Sequence, residues 1–211
     1  MITANVWERV VRVEVGRQAG TGFTIDRDGT QLLVTARHLV DAPGPMGLYV
    51  RGHPVATQHE RLTLPVPAVD VAVFRLREPI TPDLPLKPEM DGIVYGQDAF
   101  FLGFPLGLTF DIGPAESFPL VKRATISATN HQLAGRAILL LDGWNNPGFS
   151  GGPVVFRPAG SAAFSVCGVV TGYRWQPTPV VDGASSPTGA QVLANSGIII
   201  AEEITRVLEA L

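Results

Sequence analysis

The run Gly148-Phe149-Ser150-Gly151-Gly152-Pro153 passes directly into Val154-Val155-Phe156, and this junction restricts the chain more than any other stretch. Glycines around a single serine describe a tight turn, because glycine reaches backbone conformations closed to other residues and lets a second chain come close to the main chain. The proline, valine and phenylalanine that follow read as a strand and not as a helix. The serine hydroxyl is therefore displayed at a turn just before a strand. A free hydroxyl is a poor nucleophile and needs a neighbouring base, with a third group to orient that base. Both stand upstream: His38 follows Leu33-Val34-Thr35-Ala36-Arg37, and Asp70 opens Asp70-Val71-Ala72-Val73-Phe74.

The flanking pattern is that of short strands. Residues 7–15 alternate apolar and polar side chains, the period of a half-buried strand. Residues 21–25 and 31–35 form a hairpin across Asp26-Arg27-Asp28-Gly29, where Asp28-Gly29 is the turn signal, and its second strand delivers His38. Further strands read at 47–50, 55–64 and 70–76. Residues 79–92 hold four prolines and form a connector, which sets a boundary near Ile93. The reading is thus an N-terminal unit, 1–92, with His38 and Asp70, and a C-terminal unit, 93–211, with Ser150. In the second, strands read at 99–105, 120–129, 137–141, 153–157, 165–173 and 196–200. Two exposed loops, 106–119 and 175–189, interrupt them, the first a surface segment near the site. A helix over 202–211 puts Ile204, Val207, Leu208 and Leu211 on one face, the stripe of a helix packed on the core.

Composition narrows the function. With 211 residues, 45% of them hydrophobic, the chain buries a full core. A net charge of −3 and only 17% charged residues offer neither a basic surface for nucleic acid nor a polybasic membrane anchor. The N-terminus lacks the basic-then-apolar order of a secretory leader and no apolar run reaches membrane-spanning length, so a soluble, cytoplasmic protein is expected. Cys167 is the sole cysteine, which excludes an intramolecular disulfide, and its apolar setting makes it a core residue. Four histidines and one cysteine show no zinc spacing, so neither metal nor cofactor is expected.

The order of the candidate residues discriminates between hydrolase families. A nucleophile elbow of the α/β-hydrolase kind requires a helix after the serine and a histidine after that, and His131 is the last histidine here. A subtilisin order requires an aspartate before His38; Asp26 and Asp28 precede it, but as turn residues. For the orienting acid, Asp41 lies too close to His38 in sequence and Asp83 sits between prolines, which favours Asp70. His53, His59 and His131 read as surface or packing residues.

With the contexts Thr35-Ala36-Arg37-His38, Asp70-Val71-Ala72-Val73 and Asn146-Pro147-Gly148-Phe149-Ser150-Gly151-Gly152-Pro153, the chain resembles the trypsin-like serine peptidases of the chymotrypsin fold, and among them the bacterial HtrA-type branch. The resemblance runs from about Gly20 to the C-terminus. It implies an all-β fold of two six-stranded antiparallel β-barrels with a short C-terminal helix, and a serine endopeptidase acting on protein or peptide substrates through an acyl-enzyme. His38 is then the base, Asp70 its orienting acid and Ser150 the nucleophile, with backbone amides of Gly148, Phe149 and Ser150 as the oxyanion hole. Trp144 falls at the base of the primary specificity pocket, which implies small or medium aliphatic preference. Val170-Thr171-Gly172 matches the strand that pairs with substrate backbone. Phe149 stands where the digestive branch has an aspartate that pairs with a freed N-terminal amine, so no proteolytic activation is expected. The PDZ module usual in HtrA-type enzymes has no counterpart in the sequence, and a regulatory partner is left open. Two other functions share the scaffold: an inactive peptide-binding module, and an esterase or acyltransferase.

Overall fold

The computed structural model describes residues 2–111, 116–133 and 135–211. A helical turn, α1 (Ala4–Trp7), precedes β1 (Val10–Val15), β2 (Gln18–Arg27) and β3 (Thr30–Ala36). A second turn, α2 (Arg37–Val40), leads to β4 (Met46–Val50), β5 (His53–Val55), β6 (His59–Leu62) and β7 (Val71–Leu76). These strands form one antiparallel sheet in the order β5-β4-β1-β2-β3-β7-β6. The β2–β3 hairpin turns at Asp28 (φ 51°) and Gly29 (φ 75°), the two left-handed positions that a two-residue primed turn requires.

Residues 77–97 carry no strand beyond an isolated bridge between Pro88 and Val166. The second half follows: β8 (Asp98–Gly103), β9 (Phe110–Asp111), β10 (Ser117–Phe118), β11 (Leu120–Leu133), β12 (Arg136–Asp142), β13 (Pro153–Phe156), β14 (Ser165–Val181), β15 (Pro187–Glu203) and the helix α3 (Ile204–Glu209). Six of these strands close a barrel in the order β11-β12-β15-β14-β13-β8, while β9 and β10 pair with each other. The architecture is mostly β and chymotrypsin-like.

The two halves differ in closure. The second is a closed six-stranded barrel, whereas the first is a curled seven-stranded sheet with β5 and β6 at its edges. Both edge strands are short and exposed along almost their whole length, so neither carries the apolar face that would hold it against the opposite edge. A second difference concerns 175–189. Although exposed, this segment is no loop: β14 and β15 continue past the barrel as a two-stranded ribbon, paired from Trp175↔Asn195 to Val181↔Pro187.

Three apolar clusters hold the molecule together. One lies in the first sheet around Val11, Val13, Leu33, Leu48 and Phe74, and a second fills the barrel around Phe101, Ile126, Leu139, Phe149 and Phe156. The third is shared, joining Phe23, Ile25, Val34 and Val73 of the first sheet to Val155, Val166 and Val169 of the barrel and to Ile204, Val207 and Leu208 of α3. The helical stripe read from the sequence is thus core packing, except that Leu211 is 40% exposed. Cys167 is fully buried, its Sγ 3.4 Å from Val154 O, and desolvation pushes its thiol far above the ordinary range. That environment makes it a packing residue and not a nucleophile.

Candidate active site

His38, in the turn α2 after β3, and Asp70, just before β7, are placed by neighbouring strands. β3 and β7 pair with Ala36 opposite Val71, so the residues just past one strand and just before the other meet at the same end of the sheet. The contact is made at two points: Nδ1 of His38 lies 2.7 Å from Asp70 Oδ2, and the His38 backbone N–H donates to Asp70 Oδ1 at 2.9 Å. Arg37 N–H donates to Asp70 O at 3.1 Å, which fixes the aspartate's backbone as well. With Nδ1–H given to the carboxylate, Nε2 is left as the unprotonated nitrogen of the neutral ring. The hydrogen bond that His38 gives to Asp70 raises the His38 pKa above its ordinary value; burial opposes this, and the charges of Asp70 and Asp41 add to the rise. The two other aspartates weighed from the sequence have different partners. Asp41 binds Arg61 at 2.7 Å, and Asp83 lies 3.6 Å from the buried Arg9. His53 and His59 are exposed, and the side chain of His131 lies outside the described residues.

The loop before β13 is fixed through its carbonyl groups. Leu106 N–H donates to Pro147 O at 2.9 Å, Thr21 Oγ1 to Gly148 O at 2.7 Å, Gly152 N–H to Phe149 O at 2.9 Å and Thr21 N–H to Ser150 O at 2.9 Å. In a trans peptide the N–H points opposite to the C=O of the same plane, and no cis bond occurs among the described residues. Holding Pro147 O and Phe149 O therefore aims the N–H groups of Gly148 and Ser150 away from those anchors. Among the described residues neither N–H has a protein acceptor. Phe149, expected as a third donor, gives its N–H to Asn146 O at 3.3 Å.

Glycine is required at 148 on two counts. Its φ is +105°, and a Cβ placed there would lie 2.3 Å from Phe104 O.

The remaining site residues of the sequence reading divide by burial. Trp144 is 55% exposed, whereas Asn145 beside it is buried, with its Nδ2 donating to Gly172 O at 3.3 Å. Val170 is buried and tied to the serine loop: Gly151 N–H donates to Val170 O at 2.7 Å and Val170 N–H to Gly152 O at 2.9 Å. Thr171 and Gly172 continue from it along the free edge of β14. Three supporting residues escape sequence reasoning. Thr21 holds two carbonyls of the loop, as above. Lys122 donates to Trp144 O and, at 3.0 Å, to Asn146 Oδ1, with its ammonium 5.8 Å above the Phe149 ring. Glu202, 1% exposed, accepts from Asp70 N–H at 3.3 Å and pairs with Arg136. Nothing in the local sequence marks these residues, since each reaches its partner from a distant strand. Among the described residues no cluster of metal-ligating side chains occurs.

A curled sheet and a closed barrel with a glycine-flanked serine loop and a histidine–aspartate contact define the class of chymotrypsin-like hydrolases. Comparison with known proteins names the family: residues 20–163 match the trypsin-like peptidase domain, and the chain belongs to the trypsin-like serine peptidases. No curated protein matches the sequence. Among solved structures, the Rv3671c protease of M. tuberculosis in its inactive form is 21% identical with a TM-score of 0.63, the match covering 99% of this chain and 89% of that one. The HtrA-type protease AlgW, solved with a tripeptide, is 21% identical with a TM-score of 0.65, covering 98% of this chain and 60% of its own. A serine endoprotease from Yersinia pestis is 17% identical with a TM-score of 0.64, covering 97% and 62%. At these identities the likeness is one of fold. Among the described residues no helix is long and apolar enough to cross a membrane.

Proposed function

We propose that the chain is a serine endopeptidase in which Ser150, His38 and Asp70 form a catalytic triad and the N–H groups of Gly148 and Ser150 form the oxyanion hole. The observation that carries this reading is the two-point contact between His38 and Asp70, which fixes ring and tautomer together. In the first step Ser150 Oγ attacks the carbonyl carbon of the scissile peptide while His38 Nε2 takes the hydroxyl proton. The carbonyl oxygen becomes an oxyanion, and the Gly148 and Ser150 N–H groups donate to it. Collapse of this intermediate expels the amine, which takes the proton back from Nε2 and leaves an acyl-serine. Water then enters with His38 again as base and releases the acid. Asp70 orients the ring and stabilises the imidazolium.

Preorganised donors stabilise charge only where it develops, and removing one costs on the order of 10² to 10³ in turnover. Here the loop's carbonyls are held by Leu106 and Thr21 from two other segments and by Gly152 within the loop, which is what preorganisation requires.

The test is covalent labelling by a fluorophosphonate, read by intact mass. Label on the wild type that disappears in Ser150→Ala and in His38→Ala supports the reading, and a wild type that takes no label overturns it.

A further inference from the structure

Asp70 is reached by a segment that carries no strand between β6 and β7, and Val69 N–H closes a turn on Val66 O at 3.2 Å just before it. Across from this segment β15 ends in Glu202 and Glu203 and passes into α3, whose spacing sets Arg206, Val207 and Ala210 on the face that follows Glu203. Between the two, with the start of β12 as a third wall, is a cleft of about 350 Å³. Its walls are aliphatic: Leu64, Val66 and Val69 from the segment, Ala137 from β12, and Val207 and Ala210 from α3. A volume and lining of this kind belong to small-ligand sites, where apolar walls hold the body of the guest and a few polar groups fix its orientation.

The charged residues of the lining are Glu202, Glu203 and Arg206. Glu202 is 1% exposed, and the three hydrogen bonds it accepts all go to Oε1: from Arg136 Nε at 2.7 Å, from Arg136 Nη2 and from Asp70 N–H at 3.3 Å. With Oε1 so committed, Glu202 presents Oε2 to the cleft, and Oε2 receives no donor among the described residues. A desolvated carboxylate oxygen without a donor is costly, so a guest that brings an N–H into the cleft gains more there than at an open surface.

Charge selects the kind of donor. Glu203 is almost fully buried, whereas Arg206 is exposed and divides its guanidinium between Glu203 at 3.8 Å and Glu209 at 2.9 Å. With Arg136 included, three carboxylates stand against two guanidiniums among these described residues, and the carboxylates of the lining are the buried, unscreened members. The cleft therefore favours a cation over an anion.

We propose that this cleft is an effector site for a free aliphatic primary amine, its ammonium bonded to Glu202 Oε2 and its chain laid along the aliphatic walls, and that occupancy loosens the hold of Glu202 on Asp70. The ammonium draws negative charge toward Oε2, and the bond that Asp70 N–H gives to Oε1 weakens. Binding at the cleft does not depend on the peptidase reading; its effect on Ser150 rests on that reading.

Titration of the isotope-labelled protein with n-alkylamines of about four to about eight carbons, followed by NMR, provides the test. The dissociation constant falls about fourfold for each added methylene until the cleft is full, and the n-alcohol and n-carboxylate of equal length bind more weakly. The Asp70 amide proton moves upfield, and the methyl signals of Val66 and Val69 shift with the same midpoint. Labelling of Ser150 by a fluorophosphonate slows about two- to tenfold to a plateau, the worth of one hydrogen bond, with a midpoint independent of probe concentration. Glu202→Gln brings the affinity of the amine down to that of the alcohol, and Ala210→Leu ends the gain per methylene at a shorter chain, each read against that variant's own signal without amine. If Glu202→Gln fails to fold, Ala210→Leu and the alcohol and carboxylate series decide.

No saturable shift at Asp70, Val66 or Val69, or an alcohol that binds as tightly as the amine, overturns the site. Saturable binding that leaves the Asp70 amide and the labelling rate unchanged overturns the effector role. Labelling driven to zero in competition with the probe places the amine at Ser150 and overturns both. A lysine peptide that binds more tightly than any free amine assigns the cleft to a partner's side chain and overturns the free ligand. If the wild type takes no label, the peptidase reading falls, and the shifts at Asp70, Val66 and Val69 judge the site by themselves.

Discussion

At the scale of single residues, the contact between His38 and Asp70 sets opposite pH dependences for stability and for chemistry. The raised His38 pKa means that the charged pair stabilises the fold below the unfolded value of about 6.5, a contribution lost as pH rises through the raised folded value. In the mechanism proposed above the base is the neutral ring, so activity is expected to appear as pH rises through that same folded value. A kcat/KM profile has its acid limb above about 6.5. Asp70→Asn moves the limb to lower pH and reduces kcat on the order of 10⁴-fold, because the tautomer is no longer enforced. Gly148→Ala is expected to reduce turnover by about 10² to 10³ and to lower the melting temperature as well: the added methyl meets Phe104 O, the left-handed φ is strained for any residue with a Cβ, and relief of both turns the donor plane. Calorimetry beside steady-state kinetics checks both halves of that statement.

At the scale of elements, the serine loop depends on a strand of the other half. Thr21 in β2 supplies one main-chain and one side-chain donor to the loop, and its Oγ1 also accepts from Phe104 N–H at 3.2 Å. Thr21→Val keeps the shape and removes the hydroxyl, so labelling by a fluorophosphonate slows about two- to tenfold, and Thr21→Ser restores it. Failure of serine to rescue would show that the threonine methyl matters and not the hydrogen bond. Much of this was readable in the sequence. His38, Asp70 and Ser150 each stand beside a strand end or a turn with its own composition signal, and Asp28-Gly29 marks its hairpin directly. Thr21, Lys122 and Glu202 were not readable, because their partners lie far along the chain and no local pattern encodes a distant carbonyl. The ribbon was misread as a loop for a related reason. Pro177, Pro179 and the Ser/Gly tip carry the composition of a loop, yet proline fits a ladder wherever its missing N–H would have faced outward.

At the scale of the whole molecule, the cluster shared by sheet, barrel and α3 predicts one cooperative unfolding transition rather than one for each half. Scanning calorimetry with coincident fluorescence and circular dichroism checks this; two resolved transitions would contradict it. Arg9 is the largest polar group inside, fully buried, with Nε donating to Leu84 O at 2.8 Å and the guanidinium against Asp26. Arg9→Met leaves Leu84 O and the Thr24–Thr81 hydroxyl pair with fewer donors, at a cost of about 1 to 3 kcal/mol, which lowers Tm by about 3 to 10 °C.

Because Thr21 and Ser150 are tied across the two halves, neither half holds the serine loop by itself. A nick in the connector at 77–97 that let the halves separate is therefore expected to leave the nucleophile's own loop intact in sequence while removing the anchor that β2 gives it.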